Sequence, residues 1–72
     1  MNVIEIKKRN LELGVSPSDW AKCLGITVQH AYKKINGQSA LTLLQADKIQ
    51  NLLSITDEEF AFYFLNGRSR VL

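Results

Sequence analysis

Cys23 is the only cysteine in the 72 residues, and His30 the only histidine. No internal disulfide can form, and no Cys/His cluster has the spacing of a metal site. One unpaired thiol suits a reducing compartment, so the expected location is cytoplasmic. The chain has no run approaching the ~20 apolar residues that a membrane span needs. Glu5, Lys7, Lys8 and Arg9 stand near its start, where a signal peptide would carry an apolar core. Paired carboxylates at catalytic spacing, a phosphate-cradling glycine loop and a nucleophile triad are all missing, so neither an enzyme nor a cofactor is expected. Cys23 reads as a small half-buried hydrophobe, with no base at a fixed distance on its helix. His30 reads as a solvated helix residue.

Charge of one sign is also scarce, since the net is only +2. Its distribution is uneven. Residues 1–37 set six cations (Lys7, Lys8, Arg9, Lys22, Lys33, Lys34) against Glu5, Glu12 and Asp19, a net of +3. Residues 38–72 set Lys48, Arg68 and Arg70 against Asp47, Asp57, Glu58 and Glu59, a net of −1. A polyanion would meet the first half. Lys7, Lys8 and Arg9 themselves read as a solvated helix face.

What the chain has in quantity is helix punctuation. Asn2 with Glu5 three residues on predicts the start of a first helix, which ends near Leu13 before Gly14. Ser16 caps a second, with Pro17 at the first helical position and Asp19 near the positive end of the dipole. Gly25 stops it after Leu24. Thr27 caps a third that ends at Asn36-Gly37. Thr42 with Gln45 opens a fourth, running to about Leu53, and Thr56 with Glu59 a short fifth. Glu58 and Glu59 fit the dipole of that helix better than acid/base chemistry.

Apolar spacing supports the same division. Trp20, Ala21 and Leu24 line one face of the second helix; Ala31 and Ile35 line one face of the third. Leu41, Leu44, Ile49, Leu52, Leu53 and Ile55 supply the fourth and its flanks. Trp20 is expected in the core. The tail, residues 61–72, changes character. Phe60-Ala61-Phe62-Tyr63-Phe64-Leu65 precedes Asn66-Gly67, a strong hairpin signal. In that reading Phe62 pairs with Val71 and Tyr63 with Arg70, and aromatic strand preference favours it. The alternative carries the fifth helix on to Leu65, with Gly67 behind it as a C-cap. Phe60, Phe62 and Phe64 are core or dimer surface on either reading.

Residues 17–36 form the informative stretch. Ala21 is small where two helices pack closely, Gly25 turns the chain, Ile26 plugs the space behind the turn, and Ala31 again allows close approach. These are the requirements of a helix-turn-helix, in which the second helix offers its outer face to a major groove. Gly14 to Gly37 resembles, without a gap, the lambda-repressor-like (Cro/C1-type) family. The remainder, through Leu41-Thr42-Leu43, Lys48-Ile49, Thr56-Asp57-Glu58-Glu59-Phe60 and Tyr63-Phe64, looks like the small switch regulators of temperate phages. Pro17 stands where the family commonly has glutamine, and the third helix lacks arginine.

The resemblance implies an all-α, five-helix lambda-repressor-like domain over residues 1–72, with a short C-terminal extended or hairpin segment. It implies a lysis/lysogeny regulator, in a bacterial host cell, that binds operator DNA. Val28, Gln29, Tyr32 and Lys33 would face the DNA or a partner. Gln29 would read adenine, Lys33 guanine or phosphate, and Val28 a thymine methyl. Ser16, Lys34, Asn36 and Gln38 would lie near phosphates, where contacts orient without reading sequence. The alternative is an antirepressor, or modulator of repression, that grips the phage's main repressor through the same surface. A homodimer through the C-terminal segment is a further expectation; no membrane or small-molecule ligand is.

Overall fold

The computed structural model describes residues 1–65. They are helical, in the order α1 (Val3–Leu13), α2 (Pro17–Leu24), α3 (Val28–Ile35), α4 (Leu43–Leu52) and α5 (Asp57–Phe60), followed by a π-helical turn over Ala61–Leu65. Each start is where the capping residues place it. The side chains of Asn2, Ser16, Thr27, Thr42 and Thr56 accept from the backbone N–H three residues on. At Ser16, Thr42 and Thr56 the acid or amide at the third helical position returns the bond, which closes a capping box.

The core is one cluster. Ile6 from α1, Trp20 and Ala21 from α2, Ala31 and Ile35 from α3, and Ala46, Ile49 and Leu53 from α4 and its end are buried together with Ile55 and Phe64. Ile26 and Leu24 pack against it half-buried, as expected behind a tight turn. α2 packs on both α3 and α4, while α1 meets α3 and the π-helical turn. Leu44 departs from the apolar reading of α4: it is exposed, and Ala46 takes the buried place.

Polar links between distant segments close the ends. The Arg9 guanidinium donates to the carbonyls of Leu53 (2.9 Å) and Ser54 (3.1 Å), behind the last turn of α4. Ser54 is the one non-glycine residue with positive φ among those described, at 52°. Its N–H donates to the Asn51 carbonyl and that of Ile55 to the Gln50 carbonyl, so α4 ends in a Schellman turn with serine in the usual glycine place.

The first half of the expected C-terminal strand is corrected. Residues 61–65 continue from α5 as helix. Phe60 and Phe64 lie one turn apart with ring centroids at 4.7 Å, and Phe64 is buried in the core. The Asn2 N–H donates to the Tyr63 carbonyl at 2.8 Å, which ties the turn to the start of α1. Strand preference of aromatics loses to this burial, because helical spacing points both phenyl rings inward. The expected partners Arg70 and Val71, and the Asn66-Gly67 turn, lie outside the described residues. No helix among those described is long and apolar enough to cross a membrane.

Candidate recognition surface

α2 and α3 are joined by Gly25, Ile26 and Thr27. Gly25 has φ 68° and ψ 36°, a left-handed conformation that other side chains resist, and its N–H donates to the Ala21 carbonyl. The Ile26 N–H reaches the same carbonyl at 3.0 Å. Thr27 then starts α3, its Oγ1 accepting from the His30 N–H at 3.1 Å. The turn is therefore fixed at both ends by short-range bonds. It sets Ala31 and Ile35 of α3 into the core beside Trp20 and Ala21.

With Ala31 and Ile35 turned inward, the opposite arc of α3 faces out. Val28, Gln29, Tyr32 and Lys33, spaced i, i+1, i+4 and i+5, are all exposed. The arc is mixed in chemistry. Val28 and Tyr32 keep 43% and 53% of their surface, so an apolar strip stands in solvent beside one amide and one ammonium. His30 is exposed on the same helix, and Lys22 is exposed in the last turn of α2.

The four expected phosphate contacts divide. Asn36, the C-cap of α3, and Gln38 beyond it are exposed. Ser16 is exposed too, but its hydroxyl is engaged at the start of α2. It donates to Asp19 Oδ2 at 3.0 Å and accepts from the Asp19 N–H at 3.3 Å. The Ser16 N–H also donates to Asp19 Oδ2, at 2.8 Å. That backbone bond, and then the hydroxyl, hold the Asp19 carboxyl below its ordinary value. An ionised carboxylate thus occupies the donors a phosphate would seek there.

Lys34 is half-buried, and its ammonium points back into the chain. Nζ donates to the Ala40 carbonyl at 2.8 Å and to Ser39 Oγ at 3.3 Å, which closes the loop between α3 and α4. On the inner side of that loop Gly37 has φ 77°, and a Cβ there would meet Val3 Cγ2 at 2.9 Å. The loop is thus held from α3 by Lys34 and packed closely on α1 at a position only glycine fits. Sequence reasoning missed both roles, since neither has a local motif. Arg9 departs from the solvated face expected of Lys7, Lys8 and Arg9: it is half-buried against the end of α4, and only the two lysines are exposed.

Comparison with protein-family models, with curated proteins and with solved structures finds no match to the chain.

Proposed function

We propose that the chain is a transcription regulator of a phage-type genetic switch, and that it acts by presenting α3 to operator DNA. One observation carries this reading: the burial of Ala31 and Ile35 leaves Val28, Gln29, Tyr32 and Lys33 together on the outer arc of a short, capped helix. Such a helix, braced by a second through a three-residue turn, is built to enter a major groove. Gln29 supplies the paired donor and acceptor that adenine requires, and Lys33 the cation for guanine or phosphate. Asn36 and Gln38, exposed at the end of α3, would add neutral contacts to the backbone.

A second reading has its own support. The ammonium of Lys34 is engaged by the loop between α3 and α4, and Val28 and Tyr32 place an apolar strip at the middle of the surface. An aromatic and an aliphatic side chain at the centre, with polar groups at the edge, suit a protein contact. In that reading α3 grips the main repressor of the same switch and alters its hold on the operator.

A gel-shift series separates the two. The operator is titrated with this protein alone, with the repressor alone, and with both together. A shift by the protein alone supports the DNA reader. No shift alone, with a change in the repressor's own shift, supports the modulator. Absence of both effects overturns the proposal.

A further inference from the structure

The loop between α3 and α4 contains no ionisable side chain: from Ile35 to Ala46 the sequence carries none. Any side-chain contact it makes is therefore neutral. Its backbone is committed inward. The N–H groups of Asn36, Gly37, Gln38 and Ser39 donate in turn to the carbonyls of Tyr32 (3.0 Å), Lys34 (3.1 Å), Lys33 (2.9 Å) and Lys33 again (3.3 Å). Those bonds close the C-terminal end of α3, so the exposed side chains of Asn36 and Gln38 supply the outward amide donors.

Two anchors hold Gln38 between them. Before it, Gly37 at φ 77° lies against Val3, where a Cβ would come within 2.9 Å of Cγ2. After it, the Lys34 ammonium clasps the Ala40 carbonyl at 2.8 Å and Ser39 Oγ at 3.3 Å. The loop is thus fixed to α1 on one side and to α3 on the other.

We propose that Lys34 is a positioning residue of the recognition surface: it fixes the loop so that the Gln38 amide meets a DNA phosphate, and makes no phosphate contact itself. The inference rests on the reading of α3 as the DNA-facing helix, and adds to that helix a preformed, uncharged second contact. A loop ordered only on binding spends affinity on the freedom it loses, whereas this one is already ordered by folding. To reach a phosphate, the Lys34 ammonium would first have to release the Ala40 carbonyl, and the loop with it. Gln38 is neutral and displaces no counterion, so its share of the affinity does not depend on salt, unlike that of Lys33.

Binding to a short duplex of random sequence, titrated at several salt concentrations, tests this, because backbone contacts are common to all sequences. Gln38→Ala is expected to weaken binding by about 5-fold at every salt concentration, the worth of one hydrogen bond. Lys34→Met keeps the alkyl stem and is expected to lose about as much, roughly 5-fold, with the salt slope unchanged. The Lys34→Met, Gln38→Ala double variant is expected to bind no more weakly than Gln38→Ala alone, since Lys34 acts through Gln38. Gly37→Ala, which disturbs the other anchor, is expected to repeat this pattern and carries the test should Lys34→Met not fold. Circular dichroism in the same buffers shows which variants are folded, and lost stability alone leaves the affinity of folded chains unmoved. Wild-type binding by Lys34→Met, a flattened slope in that variant, or additive losses in the double variant would each overturn the proposal. The reading of α3 survives any of these if Lys33→Ala flattens the slope. A wild-type chain that does not bind the duplex at low salt overturns both. Non-additive losses at Lys34 and Gln38, with none at Lys33, support the proposal and move the DNA contact from α3 to the loop.

Discussion

The indole N–H of Trp20 donates to Asn10 Oδ1 at 3.0 Å, and both residues are buried. Asn10 is the one buried polar residue of the described core, and it ties α1 to the helix that carries the turn and α3. Removing the acceptor strands a donor away from water, which costs about 1–3 kcal/mol. Asn10→Ala is therefore expected to lower stability by that amount and to change the emission of the chain's single tryptophan. Urea unfolding followed by fluorescence measures both. An unchanged midpoint would show that water reaches the indole when the amide is gone.

Lys33 and Lys34 are neighbours with different fates, one exposed and one folded back onto Ala40 and Ser39. If α3 meets DNA, Lys33→Ala is expected to flatten the dependence of log affinity on log salt by about 0.9 for a lost phosphate contact. Lys34→Met is expected to leave that slope alone and to lower stability by about 1 kcal/mol, through loss of the loop bonds. Binding isotherms at several salt concentrations decide. A reduced slope for Lys34→Met would mean that its ammonium leaves the loop for a phosphate.

Sequence made the helix starts legible because a cap is local. Ser16 with Asp19, Thr42 with Gln45 and Thr56 with Glu59 each complete their bonds within four residues, and nothing distant competes. The same holds for the turn, where Gly25 alone supplies the left-handed step. The outer arc of α3 followed once Ala31 and Ile35 were placed inside. Long-range partners were not legible. Nothing at Arg9 announces two carbonyls more than forty residues away, and nothing at Lys34 tells a loop bond from a phosphate contact. The aromatic run at 60–65 misled for a related reason. Its strand preference is a surface-fitting tendency, and Phe64 found a place in a helical core instead.

Ser54 holds φ at 52°, a region that costs a side-chain-bearing residue roughly 1–2 kcal/mol. Its carbonyl, not its side chain, receives Arg9, so the guanidinium bond survives replacement. Ser54→Gly is expected to raise stability by about 0.5–1 kcal/mol, part of the relief being offset by the freer unfolded chain. Thermal or urea melts check this. A lower midpoint would show that the serine hydroxyl contributes more than the strain removes.

Acid should act on the caps of α2 and α5. The Ser16 N–H and then its hydroxyl hold Asp19 below 3.8, and the Thr56 N–H and then its hydroxyl hold Glu59 below 4.5. The native state therefore binds fewer protons at these sites than the unfolded chain. Their stabilisation is complete above those ordinary values and is lost as pH falls through the lower, folded ones. Unfolding midpoints measured from pH 7 to 2 should fall below about pH 4. The fall should be shallower in the Asp19→Asn, Glu59→Gln double variant. An equally steep fall in that variant would place the acid sensitivity at other carboxylates.

The two targets proposed for α3 make opposite demands on Val28 and Tyr32. In a major groove Val28 touches at most a thymine methyl, and the surrounding affinity comes from cations and from Gln29. In a protein interface the same pair forms the apolar centre, where truncating one aromatic anchor commonly costs about 2 kcal/mol, or roughly 30-fold. Tyr32→Ala is therefore expected to weaken binding to the repressor's N-terminal domain by about that factor, and Val28→Asp by more, because it buries an unpaired carboxylate. Against operator DNA, Val28→Asp adds repulsion from phosphate, while Tyr32→Ala removes no base reader and should cost little. Titration of both variants against both targets, with helix content checked by circular dichroism, reads the four affinities directly. Undiminished repressor binding by both variants, alongside lost DNA binding, would leave the DNA reader as the only account of α3. Weakened repressor binding by Tyr32→Ala, with DNA affinity retained, would assign the outer face of α3 to protein.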